Sequence, residues 1–274
     1  MCRVLGVSRS GYYDWARRLN AAPAGRAAAD LALLAEIRQI HAQFRYYGSP
    51  RVHRELRARG HRVGRHRVAR LMRRHALRAR RGKVKSRPRS APPARRPEII
   101  DLVRRDFSAA DPDLLWFTDI TQIRTREGWL FAAVVLDAFN REVVSWAVDS
   151  YDTPRTALRA LTDAIKTRRP PPGCIVHSDR GYQFTSHDWL NMAASRGLQV
   201  SIGERGSYLD NAAMESWFSS YKCEALYPHG EPVTRAAARA QLFGYIWTYN
   251  TQRRHSTLGY VSPRYYATEA SHCP

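Results

Sequence analysis

Residues 81–98, RGKVKSRPRSAPPARRPE, constrain this chain more than any other stretch. They hold Pro88, Pro92, Pro93 and Pro97 among basic side chains and almost no large apolar ones. Such a segment buries too little surface to offset the entropy of folding, so it reads as a semi-extended linker. The linker divides the 274 residues into a short N-terminal segment (1–29), a helical module (30–80) and a larger domain (99–274).

Charge follows the same division. Residues 1–100 carry 26 Lys/Arg against 5 Asp/Glu, whereas residues 101–274 carry 19 of each. The whole excess of +21 therefore precedes a neutral second part. A polyanion is the natural partner for such a field, because each neutralised phosphate releases condensed counterions. A basic membrane-surface helix is disfavoured, since 51–81 lacks the broad Trp/Phe/Leu face it would need. A merely solubilising surface is the bland alternative. No apolar run approaches the roughly 20 residues that span a bilayer, and the first residues have no apolar signal core. The four cysteines, Cys2, Cys174, Cys223 and Cys273, contain no CxxC pair. They indicate neither a disulfide framework nor a zinc site, and the expected setting is reduced and cytoplasmic, associated with the nucleoid.

Within the basic module, DLALLAEIRQIHAQF (30–44) puts Leu31, Leu34, Ile37 and His41 on one helical face, with Asp30 as N-cap. Ser49-Pro50 opens a second helix that turns Val52 and Leu56 inward and stops at Gly60. A third, near 65–76, buries Val68, Leu71 and Met72 and leaves Arg65, Arg67, Arg70, Arg73 and Arg74 outside as DNA contacts. Short basic helices around a Gly-containing turn read as helix-turn-helix-like.

Beyond the linker, 114–121, 128–139 and 141–148 are apolar, β-branched or aromatic runs with short polar breaks, read as three neighbouring strands with a tight turn at Asn140-Arg141. A helix near 154–168 with Thr153 as cap, a strand at 174–179, a helix at 186–196 and a strand at 198–202 follow. The stretch from Asp210 to Tyr227 is helical, and 234–250 is a last amphipathic helix. The expected class is α/β: a mixed sheet flanked by helices, preceded by a small all-α module.

Three carboxylates interrupt this apolar pattern. Asp119 and Asp179 end buried strands, and Glu215 lies one turn into the helix opened by Asp210-Asn211. An acid in such surroundings is costly unless something cationic compensates it. Three of them can hold two divalent ions roughly 3.5–4 Å apart, the arrangement of in-line phosphoryl displacement. Oxygen-only ligation favours Mg²⁺ or Mn²⁺ over zinc. Singly each acid has a structural reading: a turn cap, a partner for Arg180, a solvated helix residue. The combination and its spacing, 35 residues between Asp179 and Glu215, carry the weight.

WFTDIT (116–121), HSDRGYQFTS (177–186) and DNAAMESWFSSYKCE (210–224) resemble the three acidic motifs of the retroviral-integrase-like DDE transposases. The resemblance is to the second-reading-frame product of bacterial insertion sequences of the D-D-35-E type. YIWTYNTQRRHSTLGYVSP (245–263) resembles that group's tail signature, and 45–81 its upstream basic module. Tyr182 and the 201–211 loop depart from the pattern and leave the acids intact. The resemblance implies an RNase H-like integrase core and a DNA transposase in which Asp119, Asp179 and Glu215 are both catalytic and metal-binding. It implies further that Lys222 contacts DNA; the expected mechanism has Asp119 bridging two ions, Arg180 as a second phosphate contact and no covalent protein intermediate. His177 is expected to be structural rather than a ligand, Asn211 a helix-start residue, and Trp116, Trp217 and Trp247 core aromatics. Trp217 has stacking on an unpaired base as its alternative role. Ser178 lacks the pattern of an activated nucleophile.

The implied partners are the double-stranded DNA of transposon ends and target and further copies of the chain. No heptad zipper is visible, so the chain is expected to be the catalytic half of a longer fusion or to act beside an upstream-frame product. Two readings compete: a catalytically inactive DNA-binding relic, and an RNase H-like nuclease that cuts without joining.

Overall fold

The computed structural model describes residues 2, 4–20, 25–80, 99–203 and 208–270. The linker read at 81–98 lies outside them. The chain separates into two compact units, Met1–Ala79 and Arg80–Pro274.

The first unit contains helices α1 (Arg9–Asn20), α2 (Arg26–Gln43), α3 (Ser49–Ala58) and α4 (Arg65–Arg74). Its core joins Ile37, Ile40, Phe44 and Tyr47 to Val52, Leu56, Val68 and Leu71. The inward face of α2 differs from the sequence reading. Leu33, Leu34, Ile37 and Ile40 are buried, while Leu31 is 51% exposed. Asp30 is not a cap either. The helix starts four residues earlier, behind Gly25, so Asp30 falls inside it and is free to bind another helix. The α3 helix ends as read, with Gly60 at φ 88°, a conformation that side chains beyond glycine resist.

The second unit is built on strands β1 (Leu115–Thr125), β2 (Gly128–Asp137), β3 (Val143–Asp149), β4 (Ile175–Ser178) and β5 (Gln199–Ile202), in the order β3-β2-β1-β4-β5. The β1–β2 and β2–β3 pairs are antiparallel, whereas β1–β4 and β4–β5 are parallel. Both faces are covered. On one, Trp116, Val135 and Val176 pack with helices α5 (Pro154–Arg168) and α6 (His187–Ser195). On the other, Phe117, Val134 and Leu136 meet α7 (Ala212–Tyr221) and α9 (Arg235–Thr251). The change of face between Trp116 and Phe117 is the period-2 alternation of a strand buried on both sides.

Between α7 and α9 the helix widens into a π turn (Lys222–Leu226) and a single turn α8 (Tyr227–His229). A final helix α10 (Pro263–Ala270), absent from the sequence reading, closes the chain. The tail signature serves this architecture. Asn250 accepts from Val143 N–H and donates to Val143 C=O, both at 2.9 Å, and so acts as a substitute strand on the sheet edge. Arg253 forks onto Glu224 at 2.6 and 2.7 Å, and Tyr245 donates to the same carboxylate. Among the described residues no helix is long and apolar enough to cross a membrane.

Candidate active site

Asp119 does not end its strand, contrary to the sequence reading. It sits in the middle of β1, which runs on to Thr125 because it forms a hairpin with β2. What ends there is the neighbour. β1 and β4 pair in parallel through Phe117 and His177, and β4 stops at Ser178. Asp119 and Asp179 each lie two residues beyond that last pair, so they stand level on strands whose ordinary spacing is about 4.8 Å. Both fall on the face of Phe117 and His177, the face that α7 covers.

Each carboxylate is held by local backbone. Asp119, 6% exposed, accepts from Ile120 N–H at 2.7 Å. Asp179 accepts from Gly181 N–H at 2.9 Å. A Cβ on Gly181 would stand 2.9 Å from the same Asp179 oxygen, so the backbone comes this close only because the residue is glycine. The loop after Asp179 is braced on two sides: Arg180 Nε donates to Gly203 C=O at 2.9 Å, and Gln183 donates to Asp152 at 2.6 Å. Tyr182 also donates to the Asp152 carbonyl.

The start of α7 is fixed from three directions. His177 is fully buried, and its Nε2 faces the Asp210 carbonyl at 2.9 Å. A carbonyl only accepts, so Nε2 carries the proton and Nδ1 accepts from the Ser201 hydroxyl, also at 2.9 Å. Ser201 in turn accepts from Leu102 N–H. Burial pushes the imidazole below its ordinary value, which keeps this neutral tautomer. Arg105 donates to the Asp210 side chain at 3.0 Å. Asn211 donates from Nδ2 to Thr118 C=O at 3.1 Å, beside Asp119. His177 is thus structural, as the sequence suggested. Asn211 precedes α7 but makes no side-chain cap; it crosses to β1 instead.

Glu215 lies one turn after Asn211, is exposed, and has no hydrogen bond or ion pair among the described residues. The structure therefore levels Asp119 with Asp179 and docks the helix of Glu215 over their strand. It does not gather all three side chains: among the described residues, no group of three or more His, Cys, Asp or Glu is close enough to hold a metal ion. Asp119 and Asp179 each turn an oxygen to a nearby N–H, and Glu215 extends into solvent.

Burial and contacts decide other sequence expectations. Ser178 is fully buried, one residue out of phase with Asp179, so its hydroxyl is on the face opposite the acids. Trp217 is 2% exposed within a cluster of Phe218, Tyr221, Tyr245 and Tyr249, which excludes stacking on a base. Trp116 is a core residue, but Trp247 is 51% exposed on α9. In the first unit, Arg67 and Arg70 clamp Asp30 of α2 at 2.7 and 2.9 Å. Arg65, Arg73 and Arg74 stay exposed. Lys222 begins the π turn after α7.

Sequence reasoning missed Gly181, the Leu102–Ser201–His177–Asp210 chain and the crossing of Asn211. A lone glycine two residues after a strand-end acid was the one visible signal.

Comparison with known proteins agrees with this geometry. Residues 109–207 and 196–263 match models described as "Integrase core domain", and 28–85 match an "HTH-like domain". The chain is 39% identical over 268 residues to the transposase InsF for insertion sequence IS3A of Escherichia coli K12, covering 96% of this chain and 91% of that protein. It is 38% identical over 265 residues to the insertion element IS600 31 kDa protein of Shigella sonnei, covering 96% of both. A simian T-cell lymphotropic virus intasome structure shares the fold, with a TM-score of 0.51 at 16% identity over 87% of this chain and 75% of that one. The sheet and its helices are an integrase-like RNase H fold, and the chain belongs to the insertion-sequence transposases of the InsF kind.

Proposed function

We propose that this transposase cuts transposon ends and joins their 3′-hydroxyls to target DNA at a single site formed by Asp119, Asp179 and Glu215. The observation that carries the reading is the level placement of buried Asp119 and half-buried Asp179 where β1 and β4 part, beneath the helix of Glu215. In open α/β sheets such a divergence is where ligands bind.

The donor set fits Mg²⁺ or Mn²⁺: three carboxylates and, among the described residues, neither thiol nor imidazole offered to the site. Asp119, Asp179 and Glu215 would together hold two such ions. When bound, the pair would activate the attacking oxygen and stabilise the leaving one during in-line displacement at phosphorus. The chain itself contributes position. Gly181 lets the backbone hold Asp179 from behind, and Arg180 and Gln183 keep its loop in place. His177, Asn211 and Arg105 fix the start of α7, the helix that carries Glu215. Because no side chain here is an activated nucleophile, hydrolysis and strand transfer need only water and a DNA hydroxyl in turn.

DNA would be held by Arg65, Arg73 and Arg74 on α4, by the field of the first 100 residues, and by Lys222 beyond Glu215. Arg67 and Arg70 serve the module's own packing first, and Arg180 the loop. Two ends must be joined, so the acting form would be a multimer on DNA, working in the cytoplasm at the nucleoid. A fused or associated upstream-frame product belongs to the same proposal. A relic that had lost the chemistry would have no need of a carboxylate 6% exposed in mid-strand, which supports the active reading.

The test is strand transfer on a pre-cut transposon-end duplex with Mg²⁺. Joined product is expected from the wild type, with Asp179→Asn and Glu215→Gln at background. Full activity in either variant would refute the assignment, and cutting without joining would favour the nuclease.

A further inference from the structure

We infer that the side-chain carbonyl of Asn211 is a fourth oxygen of this site and accepts a hydrogen bond from the hydration water of a bound divalent cation. The inference rests on the proposed metal site and adds to it a residue outside the acidic triad.

Thr118 C=O can only accept, so the group 3.1 Å from it must be the Asn211 NH₂, and the opposite atom is Oδ1. That oxygen is buried and has no hydrogen-bond partner among the described residues. Asn211 as a whole is 6% exposed. A buried amide carbonyl left without a donor carries its full desolvation penalty, and a native fold keeps few of them.

Its location says which donor is missing. The pairing of β1 with β4 ends at Phe117 and His177, so Thr118 C=O belongs to the stretch where β1 has lost that neighbour. The Asn211 amide takes the neighbour's place, wedged where the strands carrying Asp119 and Asp179 part. On the helix side, Asn211 immediately precedes α7, and Glu215 follows it by four residues in the first turn. The orphan acceptor therefore lies between the strand that carries Asp119 and the start of the helix that carries Glu215.

Those acids are acceptors when ionised and cannot satisfy it. The backbone and imidazole donors described around the acids are already used: Ile120 N–H and Gly181 N–H go to Asp119 and Asp179, and His177 Nε2–H goes to Asp210 C=O. Water polarised by a divalent cation is a strong donor that arrives with the metal. Partners of this outer kind are typically worth 10–100-fold in metal affinity.

The experiment is calorimetric titration of the full chain with MnCl₂, with the apo melting temperature measured alongside. Asn211→Ala should weaken Mn²⁺ binding about tenfold or more. Asn211→Asp keeps an oxygen in place but loses the donor to Thr118. It should melt lower than wild type yet bind Mn²⁺ at least as tightly. Ser216→Asp, an exposed carboxylate beside Glu215, controls for added charge and should not reproduce that retention when combined with Asn211→Ala. If Asn211→Ala binds like wild type, or the Ala and Asp variants weaken alike, Asn211 is only a strut and the inference fails. Rescue of Asn211→Ala by Ser216→Asp would also overturn it, because charge alone would then suffice. Failure of the underlying site is separate: wild type and Glu215→Gln would bind Mn²⁺ equally.

Discussion

Gly181 donates its N–H to Asp179 Oδ1 at 2.9 Å, and a methyl group on Gly181 would lie 2.9 Å from that same oxygen. The other close atoms are Gln183 Oε1 at 2.8 Å, also the end of a flexible side chain, and Phe184 Cδ2 at 3.3 Å, a ring that needs to give by only a few tenths of an ångström. Gly181→Ala should thus displace the carboxylate at little expense to the fold. Strand transfer is expected to fall by about 10²-fold, the effect of a misplacement near 1 Å. The melting temperature should change little. A variant with both activity and stability intact would show that Asp179 tolerates another position.

The buried fork of Arg253 on Glu224 joins α9 to the π turn that begins at Lys222. Burial works against the guanidinium's charge, but Tyr245 and the bonds to Glu224 outweigh it and push the group above its ordinary value. Removing one partner strands the other. Arg253→Ala should destabilise the protein by roughly 3–5 kcal/mol, and a second change, Glu224→Leu, should recover much of that. Denaturant unfolding of the two variants measures it, and an additive double mutant would contradict the pairing.

These tail residues mark where sequence stopped being informative. The apolar runs gave the strands and their order of appearance, because a sheet buried on both faces must be written in Val, Leu, Trp and Phe. The lengths of neighbouring strands are a tertiary property. Asp119 looked like a strand end, since nothing in WFTDIT reveals that β1 outlasts β4. The ion pairs of Arg67 and Arg70 were invisible because their partner, Asp30, is on another helix. Asn250, Arg253 and Asn211 were visible as motif members, but the backbone groups and the carboxylate they bind are distant in sequence.

The same division gives a test in the basic module. Arg73 is exposed and Arg67 is half buried on Asp30. Arg73→Ala should weaken DNA binding, lower the slope of log K against log salt by about 0.9, and leave melting unchanged. Arg67→Ala should lower the melting temperature, since it leaves Asp30 with Arg70 alone. Fluorescence anisotropy over a salt series, with thermal melts, checks both. Equal salt-slope effects of the two would contradict the assignment.

Asp137 supplies a pH dependence. It is fully buried at the end of β2, and burial lifts its carboxyl to about 6, although it accepts from Asp113 and Phe139 N–H. The unfolded value is about 3.9, so between these values the native state holds a proton that the unfolded chain has released. This group's contribution to stability is thus most favourable below about pH 4 and declines as pH rises through 6. Stability profiles of wild type and Asp137→Asn over pH 4–8 should differ in slope between about 4 and 6, with the variant flatter. Parallel profiles would contradict the buried acid.

The most direct measurement of the central claim is the anomalous diffraction of a Mn²⁺-soaked crystal. Manganese is expected within about 2.0–2.3 Å of carboxylate oxygens from Asp119, Asp179 and Glu215 together, the ordinary reach of an oxygen ligand to such an ion. Manganese bound at Asp119 and Asp179 with Glu215 still turned to solvent, or found only elsewhere, would contradict it.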